Sequence, residues 1–322
     1  MSKQVKIWLI VATVLVTIGL VMFVILMEVC NWDFTKISTI EYVTNTYELE
    51  EEFDNISINI DTTDIVFLKS NDNKSRVVNY EQKNIKYYVN VKNNTLIIDE
   101  VDERKWYEYI GISFNNPKIS IYLSEDEYDM LSIEESTGDI VIPKDFMFEN
   151  IDILTSTGDV ENYASTKETI KIKTSTGDIC VKDVSSGKLD LSVSTGDITI
   201  LSITCENDVK ISVTTGDVKL TDILCKNVIS SGDTGNIFLK NIIAEEKFSI
   251  IRSTGDVKFD SCDASDIFVK TDTGDVNGSL ITDKVFITQT STGSVDVPKT
   301  ITGGKCEIIT STGDIKLDIH KD

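Results

Sequence analysis

The sequence predicts an all-β protein, a parallel β-solenoid of about ten coils of 19–20 residues, preceded by a transmembrane helix and a β-rich N-terminal cap. Three observations carry this expectation. Thr-Gly-Asp or a near copy recurs ten times, with its glycines at Gly138, Gly158, Gly177, Gly196, Gly216, Gly235, Gly255, Gly274, Gly293 and Gly313, every interval being 19 or 20 residues. Counting from each glycine, apolar residues recur at −7, −5, +2, +4 and +7, with −3 mixed, and a spacing of two is the strand period. A run of 21 uncharged residues, Ile7 to Met27, stands near the start of the chain.

Residues 1–6 form a short N-terminus and residues 7–27 a signal anchor. As a helix the apolar run would reach about 30 Å, the thickness of a bilayer core. It is too long for the apolar region of a cleaved signal peptide, and "MEVCNWDF" after it offers no small-x-small cleavage site. Cys30 follows Glu28 and Val29, which are not the small residues that precede a lipidated cysteine. Lys3 and Lys6 lie before the span, Glu28 and Asp33 after it. That asymmetry puts the N-terminus inside and the C-terminal part outside, a single-pass protein of the cell membrane.

Residues 28–45 read as a linker and 46–130 as the cap. Within it "ISINIDTTDIVF", 56–67, fits the repeat with Thr63 in the glycine position, so a degenerate coil is expected to begin the stack. "YYVNVKNNTLIIDEV" reads as a hairpin turning at Asn93-Asn94, and "PKISIYL", 117–123, as another strand. The aromatic run with Trp106, Tyr107, Tyr109 and Phe114 suits a sugar-stacking platform or, as the preferred reading, the core of the cap.

Residues 131–322 hold the solenoid. The apolar parity changes from odd before each glycine to even after it, so a tight corner lies there. Thr at −1 favours extended backbone, Gly accepts positive φ, and Asp is expected to bond nearby backbone N–H groups as an Asx turn. A second, less regular corner falls some ten residues later, in "SSGK", "CEND", "AEEK" and "TGGK". A unit this short cannot bury its apolar side alone, but parallel copies stacked about 4.8 Å apart can, over a length of about 50 Å. Right-handed coiling is expected from the usual hand of parallel crossovers.

The anchor, the irregular β-rich start and the repeated S-T-G-D-[IV] turns resemble the bacterial "putative adhesin" family, whose relatives include Lia-type envelope-stress proteins. The resemblance runs over residues 40–319 and implies a surface solenoid without implying an activity. Asn236 and Ser294 replace the turn Asp, and Asp233 and Asp272 replace the Ser at −2.

Charge and composition narrow the functions. Of the chain's −22, only Lys3 and Lys6 fall before residue 28, so residues 28–322 carry −24. Such an acidic body with no basic aromatic patch does not suit nucleic acid. Six cysteines without a C-x-x-C pair, and the single His320, do not suit zinc. Cys205 and Cys225 stand one repeat apart, which fits either a disulfide or, slightly preferred, two buried thiols. No enzyme and no cofactor are expected. A nucleophile–histidine pair is missing, and carboxylates recur alike in every coil instead of forming one distinct pair.

The expected function is therefore a membrane-anchored, non-enzymatic adhesin-like or envelope-associated stalk, with an envelope protein or polysaccharide as partner. The alternatives are a polysaccharide-binding or polysaccharide-degrading β-helix, and a cation-binding surface protein. For a cation the candidate residues are Asp256, Asp272 and Asp275, where one coil carries two turn carboxylates above a third; weak calcium binding is the expectation there. The last strand, with Leu317 and Ile319, is expected to form an open edge to which a further strand could add.

Overall fold

The computed structural model describes residues 2–33, 36, 40–102, 104 and 116–320. The apolar run forms α1, Lys3–Val29, opened by Ser2, whose hydroxyl accepts the Val5 N–H at 3.4 Å. Its side chains are exposed along nearly its whole length, and it is long and apolar enough to cross a membrane. Beyond it, the strands of the described residues join one sheet.

The repeat folds as its alternation dictates. Around Gly196 the strand Lys188–Thr195 runs to the glycine corner, Ile198–Cys205 leaves it, and Asp208–Thr215 begins the next coil. Leu189, Leu191, Val193, Ile198, Ile200 and Ile203 all point inward and are almost wholly buried. Each pairs in parallel with its equivalent one repeat on, as Leu191 does with Ile211 and Ile200 with Leu220. Together these rows form one continuous apolar core from the cap to the last coils.

A corner that the apolar pattern did not reveal lies six residues after the glycine in five successive coils. Asp183, Ser202, Asp222, Asn241 and Ser261 there have φ of +52° to +56°. Short polar side chains tolerate this left-handed conformation best. Their recurrence at the repeat period was the available signal.

At the N-terminal end of the stack the strands are β1 (Tyr42–Glu48), β2 (Asn55–Thr62), β3 (Asp64–Lys69), β4 (Arg76–Gln82), β5 (Ile85–Lys92), β6 (Thr95–Asp102) and β7 (Lys118–Leu123). β1 thus starts inside the segment read as linker, because it pairs with β4. β2 and β3 are the degenerate coil, stacked directly on the Gly138 coil. The expectation that this coil begins the stack is corrected. β6 and β7 pair in parallel with β2 and β3 and make a further coil outside it. The antiparallel strands β5, β4 and β1 then close that end. The hairpin between β5 and β6 turns at Asn93 and Asn94, whose φ of +52° and +62° suit a two-residue turn with both centres left-handed.

The distal end is also permuted, so the last strand in sequence is not the last in the stack, although among the described residues Leu317 and Ile319 keep the unpaired outer side expected of them. The strand Lys284–Thr292 does not stack on the Gly274 coil that precedes it. It pairs only with Gly304–Thr312, which on its other side pairs with residues 266–273. Ile315–Ile319 likewise pairs with Val276–Leu280 on its inner side, and its first two residues, Ile315 and Lys316, are covered by Val295–Asp296 on the outer side. The Gly313 coil is therefore interior and the Gly293 coil is outermost.

Two features favour this order. Lys284 is buried and reaches two layers down to Asp263, Nζ to Oδ1 being 2.6 Å, with the Thr282 hydroxyl also at 2.6 Å. Thr288 takes an inward position where Ile308 lies on the next coil in, so the outermost layer is the more polar one there. All six cysteines are free, Cys205 and Cys225 both buried, so the disulfide alternative does not hold.

Candidate functional site

The recurrent corner is the one constellation repeated through the body, and its geometry shows what each residue does. At Gly196 the N–H donates to the Thr215 carbonyl of the next coil at 3.0 Å, and the Ile198 N–H donates to the Asp217 carbonyl at 3.0 Å. Between them the chain reverses, and the Asp197 N–H points to the coil below. Its acceptor is the Asp178 carboxylate, Oδ1 at 2.7 Å. The turn Asp side chain thus replaces a backbone carbonyl missing from the ladder at the bend.

This bond runs the length of the stack. Asp64, Asp139, Asp159, Asp178, Asp197, Asp217, Asn236, Asp256, Asp275 and Asp314 each accept the corner N–H of the adjacent coil, at 2.7–3.1 Å. The local Asx turn expected from the sequence is therefore corrected to a bond between coils. Neighbouring carboxylates would repel by about 1 kcal/mol in water at such spacing. A backbone N–H on each inner oxygen offsets that repulsion.

The two departures from Asp now have reasons. Asn236 keeps an Oδ1 and accepts from Asp256 at 3.0 Å. Ser294 lies on the outermost coil and only needs to donate, its N–H to Asp314 Oδ1 at 2.7 Å and its hydroxyl to the same oxygen at 2.9 Å. Those two bonds hold the Asp314 carboxyl below its ordinary range.

The turn glycines Gly138 to Gly313 form a second column beneath the first. Their φ lies between +130° and +157°. A Cβ on Gly196 would stand 2.1 Å from the Gly177 carbonyl oxygen, the other turn glycines from Gly158 to Gly313 meet the neighbouring glycine's carbonyl oxygen at 1.9–2.1 Å, and Gly138 meets that of Thr63 at 2.4 Å. Thr63 at the foot of the column is not among the residues of positive φ, which is why a side chain is possible there.

Asp256, Asp272 and Asp275 are placed differently from one another. Asp256 and Asp275 belong to the ladder, Asp256 Oδ1 accepting the Asp275 N–H at 2.8 Å, and the coil above Asp275 carries Asp314 rather than Ser294. Asp272 points outward from the preceding strand, between the inward Thr271 and the corner. Among the described residues no three of His, Cys, Asp and Glu come together in a group able to hold a metal, these included. The aromatic run Trp106, Tyr107, Tyr109 and Phe114 lies outside the described residues.

Of the buried charged groups that escaped the sequence reading, two stand at −3, beside the corner. Arg252 sits inward at −3, 1% exposed, with Nη1 donating to the Val213 carbonyl at 3.2 Å. Burial pulls its pKa down to about 10, against the opposing charges of Asp217 and Asp233. Gly232, at −3 one coil below, makes the space, since a Cβ there would stand 1.9 Å from Nη1. That glycine was the visible signal. Glu135 at the same position next to the cap is 3% exposed, and neither carboxyl oxygen has a hydrogen-bond partner among the described residues. Burial first, then Asp64, Asp139 and Glu100, push its pKa up to about 8.

These features define a class, the parallel β-solenoid whose corners are stitched by stacked glycines and side-chain acceptors. The chain belongs to the Toastrack DUF4097 family, whose model matches it over residues 53–212 and 204–322. Among solved structures it is similar to a putative adhesin from Bacteroides fragilis (17% identity, 86% of this chain and 97% of that one, TM-score 0.41). It is also similar to a putative lipid binding protein from Parabacteroides distasonis (15%, 87% and 98%, 0.47). A third is a putative adhesin from Parabacteroides merdae (11%, 86% and 96%, 0.49). No functionally curated protein matches the chain.

Proposed function

We propose that the protein is a membrane-anchored, non-enzymatic surface module, a stiff spacer that holds its far end away from the membrane to meet a partner in the envelope or on another surface. The observation that carries this reading is the uniform corner. Coil after coil uses the same inner oxygen for the same N–H, and the column serves to lock coils together. A ladder of this kind resists bending and shear because every layer is bonded at its corner as well as along its strands.

The apolar helix precedes the cap, and the Gly293 coil lies at the opposite end of the stack. With Lys3 and Lys6 inside, that coil is the part of the domain farthest from the bilayer. Protease added to intact, wall-stripped cells tests this reading: the domain is expected to be removed. Full protection from protease would refute it.

A further inference from the structure

Lys284 is held differently from the other paired lysines. Its side chain is 3% exposed, whereas the lysine side chains of the other ion pairs among the described residues are 33–62% exposed. Lysine is seldom buried so completely, because its ammonium must give up water. The fold makes room for it. Lys284 stands in register with Gly304, so the layer between presents no side chain at that position, and the long stem reaches through to Asp263.

At the end of that stem three polar groups form a triangle. Nζ donates to Asp263 Oδ1 at 2.6 Å and to the Thr282 hydroxyl at 2.6 Å. The hydroxyl in turn donates to the same Oδ1 at 2.8 Å. An amine, a carboxyl group and a hydroxyl that bridges them are the parts of a condensation, held at contact distance by the fold.

We propose that Lys284 Nζ and Asp263 Cγ become joined by an amide bond, an internal cross-link that the folded chain forms by itself. The step begins with one Nζ proton passing along the 2.6 Å contact to Oδ1, leaving a neutral amine beside a carboxylic acid. Burial favours that exchange, since it removes two charges from a site poor in water. The Nζ lone pair attacks Cγ, and the N–C bond forms as the carbonyl π pair moves onto Oδ2. Thr282 relays a second proton, accepting it from Nζ and donating its own to Oδ1 along hydrogen bonds already made. The Cγ–Oδ1 bond then breaks, the carbonyl re-forms on Oδ2, and one water leaves. Ammonium and carboxylate have become amide and water, and no oxidant, reductant or cofactor is consumed. Thr282 is exposed, which gives the water a way out.

The amide ties the outermost coil to the chain two layers in, across the Gly304–Thr312 strand between them. An end layer has a neighbour on one side only and is the first to open in a stack. A covalent tie closes that end to fraying. The bond depends on the geometry of the triangle and not on the surface role proposed above.

The test is the intact mass of the full chain, purified in detergent and then denatured, together with a peptide map. Wild type, after prolonged incubation at neutral pH, is expected to be lighter than its sequence by one water, with a branched peptide that holds both Lys284 and Asp263. Lys284→Met, which keeps most of the stem, is expected to show the full sequence mass. Thr282→Val is expected to leave most freshly purified chains unlinked. Wild type at full mass, with the two residues in separate peptides, would overturn the proposal and leave a plain ion pair. So would a water loss that persists in Lys284→Met or maps to another pair of residues. Fresh Thr282→Val linked as fully as wild type would refute the relay. If Lys284→Met does not fold, the wild-type peptide map decides alone.

Discussion

Replacing Gly196 by Ala adds one methyl group at the centre of the stack and should be among the most damaging small changes in the molecule. Two costs combine. The backbone there has φ of +142°, which a residue with a Cβ adopts at about 1–3 kcal/mol. The methyl carbon would also stand 2.1 Å from the Gly177 carbonyl oxygen, 2.7 Å from its carbon and 3.0 Å from Asp178 Oδ1. The two coils must part locally, straining their parallel hydrogen bonds, and overpacking of this kind costs about 1–3 kcal/mol. Together the loss is about 4 kcal/mol, or roughly 8 °C in Tm for a domain of this size. Thermal unfolding of the detergent-solubilised chain measures it, with Ser194→Ala, exposed two residues earlier, as the control expected to stay within about 0.5 kcal/mol. A Gly196→Ala midpoint within about 1 °C of wild type would refute the argument that the column is closed to side chains.

Three further expectations follow from the corner and the cap. Asp197→Asn keeps the Oδ1 that accepts the Asp217 N–H at 2.7 Å and should leave stability nearly unchanged, whereas Asp197→Ala should lose about 1 kcal/mol in urea unfolding; equal losses would show that charge, not the acceptor, matters. Glu135 has its pKa raised from 4.5 to about 8 in the folded state, so its stabilising proton is fully present below pH 4.5 and its contribution is lost as pH rises toward 8. Guanidinium unfolding should therefore show Glu135→Gln gaining on wild type by a few kcal/mol between pH 5 and pH 9; a gap independent of pH counts against the buried acid. Calcium up to about 10 mM should raise Tm no more than sodium chloride of equal ionic strength, with Asp272→Ser making no difference, because the inner oxygens of Asp256 and Asp275 already accept N–H groups and calcium takes six to eight oxygens. A calcium-specific rise that Asp272→Ser removes would establish the cation site instead.

The coil itself was legible in the sequence because its causes are local. Alternation of period two around Gly196 states which side chains face inward, and the parity change across the glycine states that a corner lies there. Asn93-Asn94 marks a hairpin for the same reason: two adjacent residues that tolerate positive φ have few other uses between alternating strands. Gly232 beneath Arg252 could have been read as well, since a glycine at −3 followed one repeat later by the largest side chain at −3 is a compensation visible at the period of 20.

The order of the coils was decided only by the tertiary structure. Every coil offers nearly the same parallel edge, so pairing with a sequence neighbour or with the coil after it differs little in backbone hydrogen bonds. The choice falls to particular side chains. Lys284 reaches Asp263 across the layer between them, and Thr288 is better placed outermost than inside, where Ile308 stands. Ser294 has no carboxylate to offer a further coil and so belongs at the end, which its place in the chain could not reveal. The acceptor role of the turn aspartates is of the same kind. An Asp at a bend can serve its own turn or the next layer, and only the stacking distance between coils brings the Asp217 N–H within reach of Asp197.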